Sequence, residues 1–113
     1  MKNKLNILIT GSNGFIGSNL YNLLSKDLSI NLWTLKTKKN KSNSKNQIKI
    51  DDLKSNFNII NYLKRIDCII HLAALAHNNF SDEDIYDVNV KSVMKLSNQA
   101  AKANVKKFIF LSS

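Results

Sequence analysis

The chain has no proline and only three glycines in 113 residues, where average usage would supply about eight glycines and five or six prolines. All three glycines, Gly11, Gly14 and Gly17, fall inside one seven-residue window. In so glycine-poor a chain this clustering marks a local requirement. A single cysteine, Cys68, excludes an internal disulfide and any multi-cysteine metal site. Set in the apolar run Cys68-Ile69-Ile70, it reads as a small core residue. No apolar run approaches the roughly 18 residues a membrane span needs, and the longest, Cys68 to Ala76, contains His71. The start carries Lys2 and Lys4 but no small-residue cleavage signal, so a secretory peptide is not expected. The expectation is a soluble cytoplasmic chain, one domain in length.

Hydrophobic content of 43% with 22% charge is that of a globular protein. The formal net charge of +9 raises the question of nucleic acid, yet only one of the 17 basic residues, Arg65, is an arginine. Arginine is the preferred residue for bidentate phosphate and base contacts, so no nucleic-acid partner is expected and most lysines read as a solvated surface. Lys36 to Lys49 differs, with six lysines and no acid.

Leu5 to Thr10 is a short apolar run ending at the first glycine, as in a strand buried on both faces of a parallel sheet. Phe15, Ile16, Leu20, Leu23 and Leu24 then fall on one side of a helix that ends near Lys26-Asp27. Ile30 to Leu35 reads as a second strand, and Thr37 to Gln47 as a polar surface loop. Ile48 to Ile50 is a third strand closed by Asp51-Asp52, and Phe57, Ile60 and Leu63 indicate a short helix. Asp67 to Leu72 is a fourth buried strand. A long helix is expected from about Glu83 to Ala103, with a stripe of Ile85, Val88, Ser92, Leu96 and Ala100 and an acid-rich start that suits the helix dipole. Lys107 to Leu111 is a fifth strand. Alternating strands and helices of this kind give βαβ units and a doubly wound α/β fold with a parallel sheet of about five strands. No linker divides residues 1–113 into two domains.

Thr10-Gly11-Ser12-Asn13-Gly14-Phe15-Ile16-Gly17 sits where a strand turns into a helix. There Gly11 can take the tight turn, Gly14 lets a pyrophosphate reach the backbone, and Gly17 lets the helix lie close on the sheet. Free amides around Phe15 and Ile16 would receive phosphate at the positive end of the helix dipole. A nucleoside-triphosphate loop is disfavoured, because no Gly-Lys-Ser/Thr follows. An acid about 20 residues past the glycines would bond the ribose 2′-hydroxyl of NAD. Here no acid occurs between Asp27 and Asp51, and the second strand ends at Leu35-Lys36-Thr37-Lys38-Lys39. These lysines suit the 2′-phosphate of NADP, or form a solvated loop; the cofactor is NAD or NADP, with NADP slightly favoured.

The G-x-x-G-x-x-G spacing resembles the extended short-chain dehydrogenases/reductases, the NAD-dependent epimerase/dehydratase family. Four further segments match it in order: Asp52-Leu53, Asp67 to Ala74 as D-x-x-x-H-L-A-A, Val88-Asn89-Val90, and Val105 to Ser113. The resemblance implies the N-terminal part of an NAD(P)-binding Rossmann domain, from which the C-terminal substrate-binding portion is absent. It implies cofactor contacts at Gly11, Asn13, Gly14, Phe15, Ile16, Gly17, Lys36, Asp52, Leu53, Leu72, Ala73, Ala74 and Asn89. Asp52 would accept from the adenine amino group or serve only as a turn residue, and Ala73 and Ala74 leave room for a flat cofactor. Asn89 would hold backbone or water near the active site, or fill a packing defect. His71 suits a structural, hydrogen-bonded role better than that of a base, and His77 has no cluster with which to bind metal. Ser113 aligns with the family's catalytic serine.

The family's acid/base pair is Tyr-x-x-x-Lys, and here it is missing. Tyr21, Tyr62 and Tyr86 are followed four residues later by Ser25, Ile66 and Val90. The expectation is therefore a segment, inactive alone, of a nucleotide-sugar epimerase, dehydratase or reductase that transfers hydride at a sugar carbon. The segment His71 to His77 looks most like 4-epimerases. The full-length form would be a homodimer acting on a nucleotide sugar, with no nucleic-acid or membrane partner. The alternative is a non-catalytic dinucleotide-binding or regulatory module. An apolar edge at Phe108 to Leu111 is expected to make the isolated chain poorly soluble.

Overall fold

The computed structural model describes residues 4–12, 14–38, 45–73 and 81–111. The expectations for Asn13, Ala74, His77, Ser112, Ser113 and the side chain of Val88 lie outside the described residues. The elements in chain order are β1 (Leu5–Thr10), α1 (Phe15–Ser25), β2 (Ile30–Lys36), β3 (Asn46–Lys49), α2 (Ile60–Leu63), β4 (Cys68–His71), α3 (Asp82–Tyr86), a π-helical turn (Asp87–Lys91), α4 (Ser92–Lys102) and β5 (Lys107–Phe110). The five strands form one parallel sheet in the order β3-β2-β1-β4-β5. The order reverses beside β1, which places the topological switch point between the ends of β1 and β4.

Alternation along the strands divides the core into two layers. Leu8, Leu35, Ile48 and Ile69 pack with Leu63 of α2 and Leu96 and Ala100 of α4 on one face. Ile7, Ile9, Leu32 and Cys68 pack with Leu20, Tyr21 and Leu24 of α1 on the other. The sheet is therefore covered on both sides, which explains why its central strands are apolar at nearly every position. Cys68 is a core residue, and burial pushes its thiol pKa up.

The apolar side expected for α1 is corrected in part. Leu20 and Leu24 face the sheet, but Phe15, Ile16 and Leu23 point away and are 86%, 54% and 68% exposed. Gly17 and Tyr21 complete the packed face instead. The long helix is likewise not uniform. Ile85, Ser92, Leu96 and Ala100 are buried as expected, but a π turn separates α3 from α4. Helix α4 ends at Asn104, whose φ of 62° is left-handed. The Val105 and Asn104 amides donate to the Ala100 and Ala101 carbonyls at 3.0 and 3.1 Å, a paired C-terminal cap that more often uses glycine.

Four side-chain hydrogen bonds, two of them buried and two part-buried, tie these elements together. Asp67 accepts the Asn6 amide at 2.8 Å, and Asn6 accepts the Trp33 indole N–H at 3.0 Å, which joins the starts of β4 and β1 to β2. Gln99 of α4 accepts the Ile59 amide and donates to the Phe57 carbonyl, both at 2.8 Å. This anchors the stretch before α2. Among the described residues no helix is long and apolar enough to cross a membrane.

Candidate functional site

The carboxyl ends of β1 and β4 meet at the glycine window. Gly11 has φ of +74°, and a Cβ there would stand 2.7 Å from the Ala73 nitrogen. Both its conformation and the approach of the Leu72-Ala73 backbone require glycine. A Cβ on Gly17 would stand 1.9 Å from the Gly11 carbonyl oxygen. Gly17 thus lets α1 close on the loop itself, rather than on the sheet as the sequence suggests. Gly14 is different. Among the described residues, a Cβ there would meet only the Gly11 oxygen, at 3.4 Å, which is ordinary contact. The fold does not need a glycine at position 14.

Beside Gly14 opens a cleft of about 840 Å³, lined by Gly11, Gly14, Phe15, Ile16, Gly17, Leu72, Asn89, Val90, Phe110 and Leu111. The first turn of α1 carries no acid, and Gly14, its N-cap, offers no side-chain acceptor to the free amides. Among the described residues, no acid in the first turn and no N-cap side chain offsets the positive end of the helix dipole at the cleft. Asn89 belongs to the π turn, a distortion often found at functional sites. The structure brings together seven of the residues singled out by sequence: Gly11, Gly14, Phe15, Ile16, Gly17, Leu72 and Asn89. Ala73 adjoins them through Gly11.

Beneath the cleft, the Thr10 hydroxyl lies 2.6 Å from Nδ1 of His71. The Leu72 and Ala73 amides donate to the same oxygen at 3.1 and 3.2 Å. Thr10 and His71 are directly paired across β1 and β4, and both are fully buried. Burial lowers the His71 pKa from 6.5 to about 4, so the ring is neutral at physiological pH. Sequence inspection does not single out Thr10. The one signal is its position, immediately before the first glycine and opposite His71.

Lys36, Asp52 and Leu53 lie away from the cleft lining. Lys36 ends β2 opposite Lys49 of β3, in a second hollow of about 570 Å³ that also includes Thr37, Lys38, Asp51, Phe57 and Tyr62. Lys38 is 3.8 Å from Asp51, with both side chains exposed. Asp52 Oδ1 accepts the Lys54 amide at 2.7 Å, the geometry of an Asx turn, and Leu53 packs on the core. Lys95 of α4 donates to the Ser55 carbonyl at 2.7 Å and fixes this loop. The sequence gives no sign of that contact. Among the described residues no group of three His, Cys, Asp or Glu side chains is placed to hold a metal.

Residues 7–113 match the NAD dependent epimerase/dehydratase family. The UDP-glucose 4-epimerase of Vibrio cholerae is 33% identical over 95% of this chain, which spans only 34% of that protein. The structure of a UDP-N-acetylglucosamine 4-epimerase from Methanobrevibacter ruminantium superposes with a TM-score of 0.78 at 26% identity, covering 99% of this chain and 39% of that one. A short-chain dehydrogenase/reductase superfamily protein from Agrobacterium tumefaciens, solved with bound NAD, superposes with a TM-score of 0.79 at 23% identity over 96% of this chain and 32% of its own. At that identity the likeness is one of fold. The chain spans about a third of the length of these relatives. With its glycine loop, switch-point cleft and five-stranded parallel sheet, this chain belongs to the NAD dependent epimerase/dehydratase family.

Proposed function

We propose that this chain is the NAD(P)-binding segment of a longer nucleotide-sugar epimerase or dehydratase. One observation carries the proposal: Gly14 lacks a side chain that the described residues leave room for, at the mouth of a cleft that meets the start of α1, where Gly14 itself supplies no cap. A residue spared a side chain without a packing reason leaves space for something else. A pyrophosphate fits the donors around that space, with the amides of Phe15, Ile16 and Gly17 pointing from a helix N-terminus. The cleft, of about 840 Å³, is of a size that admits a bound small molecule.

A nicotinamide dinucleotide, when bound, supplies a hydride acceptor and donor for a sugar carbon. The residues of this chain would hold and orient it. Leu72 and Ala73 form the floor, Asn89 the wall on the π turn, and Phe110 the side toward β5. Lys36 would meet a 2′-phosphate, and Asp52, with one oxygen engaged in its turn, retains a second for the adenine amino group. The two 4-epimerase relatives support a nucleotide-sugar substrate. So does the protein MoeE5, solved with UDP-glucose and NAD, which is 25% identical over 96% of this chain. The acid/base pair would come from chain beyond residue 113, so the segment alone is proposed to bind without turning over. The exposed Tyr86, Val90 and Met94 support a homodimer of the longer form through α3, the π turn and α4.

Calorimetric titration with NAD and NADP, on the chain and on Gly14→Ala, tests the proposal. Binding that Gly14→Ala weakens at least tenfold, with the fold intact, supports it; equal binding by both proteins sinks it.

A second reading is a non-catalytic dinucleotide-binding module of the same fold. The reading frame after Ser113 separates the two. A downstream Tyr-x-x-x-Lys marks the enzyme, and a stop codon marks the module.

A further inference from the structure

Thr10 and His71 are linked by a hydrogen bond whose direction the heavy atoms leave open. Counting donors and acceptors closes it. A threonine hydroxyl has one proton and two lone pairs. The amides of Leu72 and Ala73 both donate to Oγ1, which fills the two lone pairs. The hydroxyl proton must then go to the remaining partner, Nδ1 of His71, at 2.6 Å. Nδ1 can accept only if it is unprotonated, so the neutral ring carries its proton on Nε2. The reverse tautomer would aim a third donor at an oxygen with two lone pairs and leave the threonine proton with no acceptor among the described residues.

The surroundings agree with this count. Nε2 is buried without a hydrogen-bond partner among the described residues. The imidazole is flanked by the rings of Phe108 and Phe110, at 6.2 and 5.8 Å between centroids. Reversing the tautomer would leave two orphaned groups in place of one.

We infer that His71 is a positioning residue acting through Thr10: held as the Nε2–H tautomer, it accepts the threonine O–H at Nδ1 and so commits both threonine lone pairs to the Leu72 and Ala73 amides under the cleft. The Leu72 amide has a second acceptor, the Thr10 carbonyl at 3.2 Å. Ala73 therefore depends more heavily on the hydroxyl. Its nitrogen is also the atom against which Gly11 packs most closely. The pair thus fixes the height of the cleft floor relative to the glycine turn. For its effect on a dinucleotide, the inference rests on the function proposed above. The tautomer and the Ala73 bond stand without it.

Nitrogen-15 ring correlations on the labelled chain read the tautomer directly. A protonated Nε2 with an acceptor-type Nδ1 is expected, and a protonated Nδ1 overturns the inference. Amide exchange at Ala73 reads the hub. Thr10→Val is expected to speed it about tenfold, the effect of losing one buried hydrogen bond. Thr10→Ser and His71→Asn, which keep the hydroxyl and an acceptor near Nδ1, should restore slow exchange, whereas His71→Leu should not. Unchanged exchange in Thr10→Val, or equal exchange in His71→Asn and His71→Leu, also overturns it. If Thr10→Val fails to fold, the wild-type spectrum and the Thr10→Ser comparison still decide. NAD and NADP titrations of the same proteins separate the two claims. No binding by the wild type defeats the proposed function alone, while the ring spectrum and Ala73 exchange continue to judge His71.

Discussion

The carbonyl oxygen of Gly11 stands 1.9 Å from the place a Cβ on Gly17 would occupy, so the turn and the helix it leads into share one volume. Gly17→Ala is expected to cost more than about 3 kcal/mol, because the blocking atom is backbone and cannot rotate away. Gly14→Ala, with its nearest neighbour at 3.4 Å, should cost less than about 1 kcal/mol. Urea unfolding of the two variants checks the contrast. Comparable losses would show that Gly14, too, is held by packing.

Gln99 gives a second stability test. Its two hydrogen bonds hold the Ile59 amide and the Phe57 carbonyl, and the side chain is buried. Gln99→Leu preserves volume but orphans both groups, for an expected loss of about 2–4 kcal/mol. A shift in the urea midpoint at unchanged slope would agree. A loss under about 0.5 kcal/mol would mean that water replaces the amide without difficulty.

Stability should also depend on pH through His71. Its folded pKa, about 4, lies below the ordinary 6.5 because burial disfavours the cation. Between these values the unfolded chain binds a proton that the folded chain refuses, so stability rises with pH across the window. The contribution is complete above about pH 6.5 and is lost as pH falls toward about 4, on the order of 3 kcal/mol in total. His71→Asn should flatten this part of the profile. A wild-type curve level between those limits would contradict the expectation.

The lysines at the end of β2 suggest which dinucleotide is preferred. No acid lies between Asp27 and Asp51, and Lys36 stands opposite Lys49. NADP is expected to bind more tightly than NAD, and Lys36→Glu should weaken NADP about tenfold while leaving NAD little changed. Tighter binding of NAD by the wild type would refute the lysine argument.

At the other edge of the sheet, Ile109, Phe110 and Leu111 are 47%, 43% and 52% exposed. The isolated chain is expected to self-associate along β5. Light scattering should show particles larger than a monomer, reduced by Ile109→Lys on the exposed strand. A monodisperse monomer that unfolds cooperatively would count against it.

Much of this architecture is legible in the sequence because the strands are buried on both faces and punctuated by polar stretches. Leu5 to Thr10 was identifiable to the residue, and the glycine spacing located the cleft. The outward side of α1 was harder. Phe15 and Ile16 obey helical periodicity as well as any core residue, but they sit beside the cleft, where apolar exposure has another use. Asn46 and Gln47 begin β3 although their polarity suggests loop, because an edge strand needs a partner on one side only. The Thr10–His71 pair was invisible for a different reason. It spans 61 residues, and only the parallel register of β1 and β4 brings it together.

The π turn at Asp87–Lys91 works as a phase adjuster. Seven residues of regular helix would set Ile85 and Ser92 within about 20° of one face; the wider turn offsets them, so Ile85 is buried apart from the cluster that holds Leu96 and Ala100. Deleting one residue from this turn would restore a regular helix at the same local hydrogen-bond count. It would also rotate everything on one side by roughly 100° relative to the other. Either Ile85 would swing out of the core or Asn89 would leave the cleft. One extra backbone unit thus couples the packing of the helix to the shape of the site, and a length change of a single residue would be felt at both.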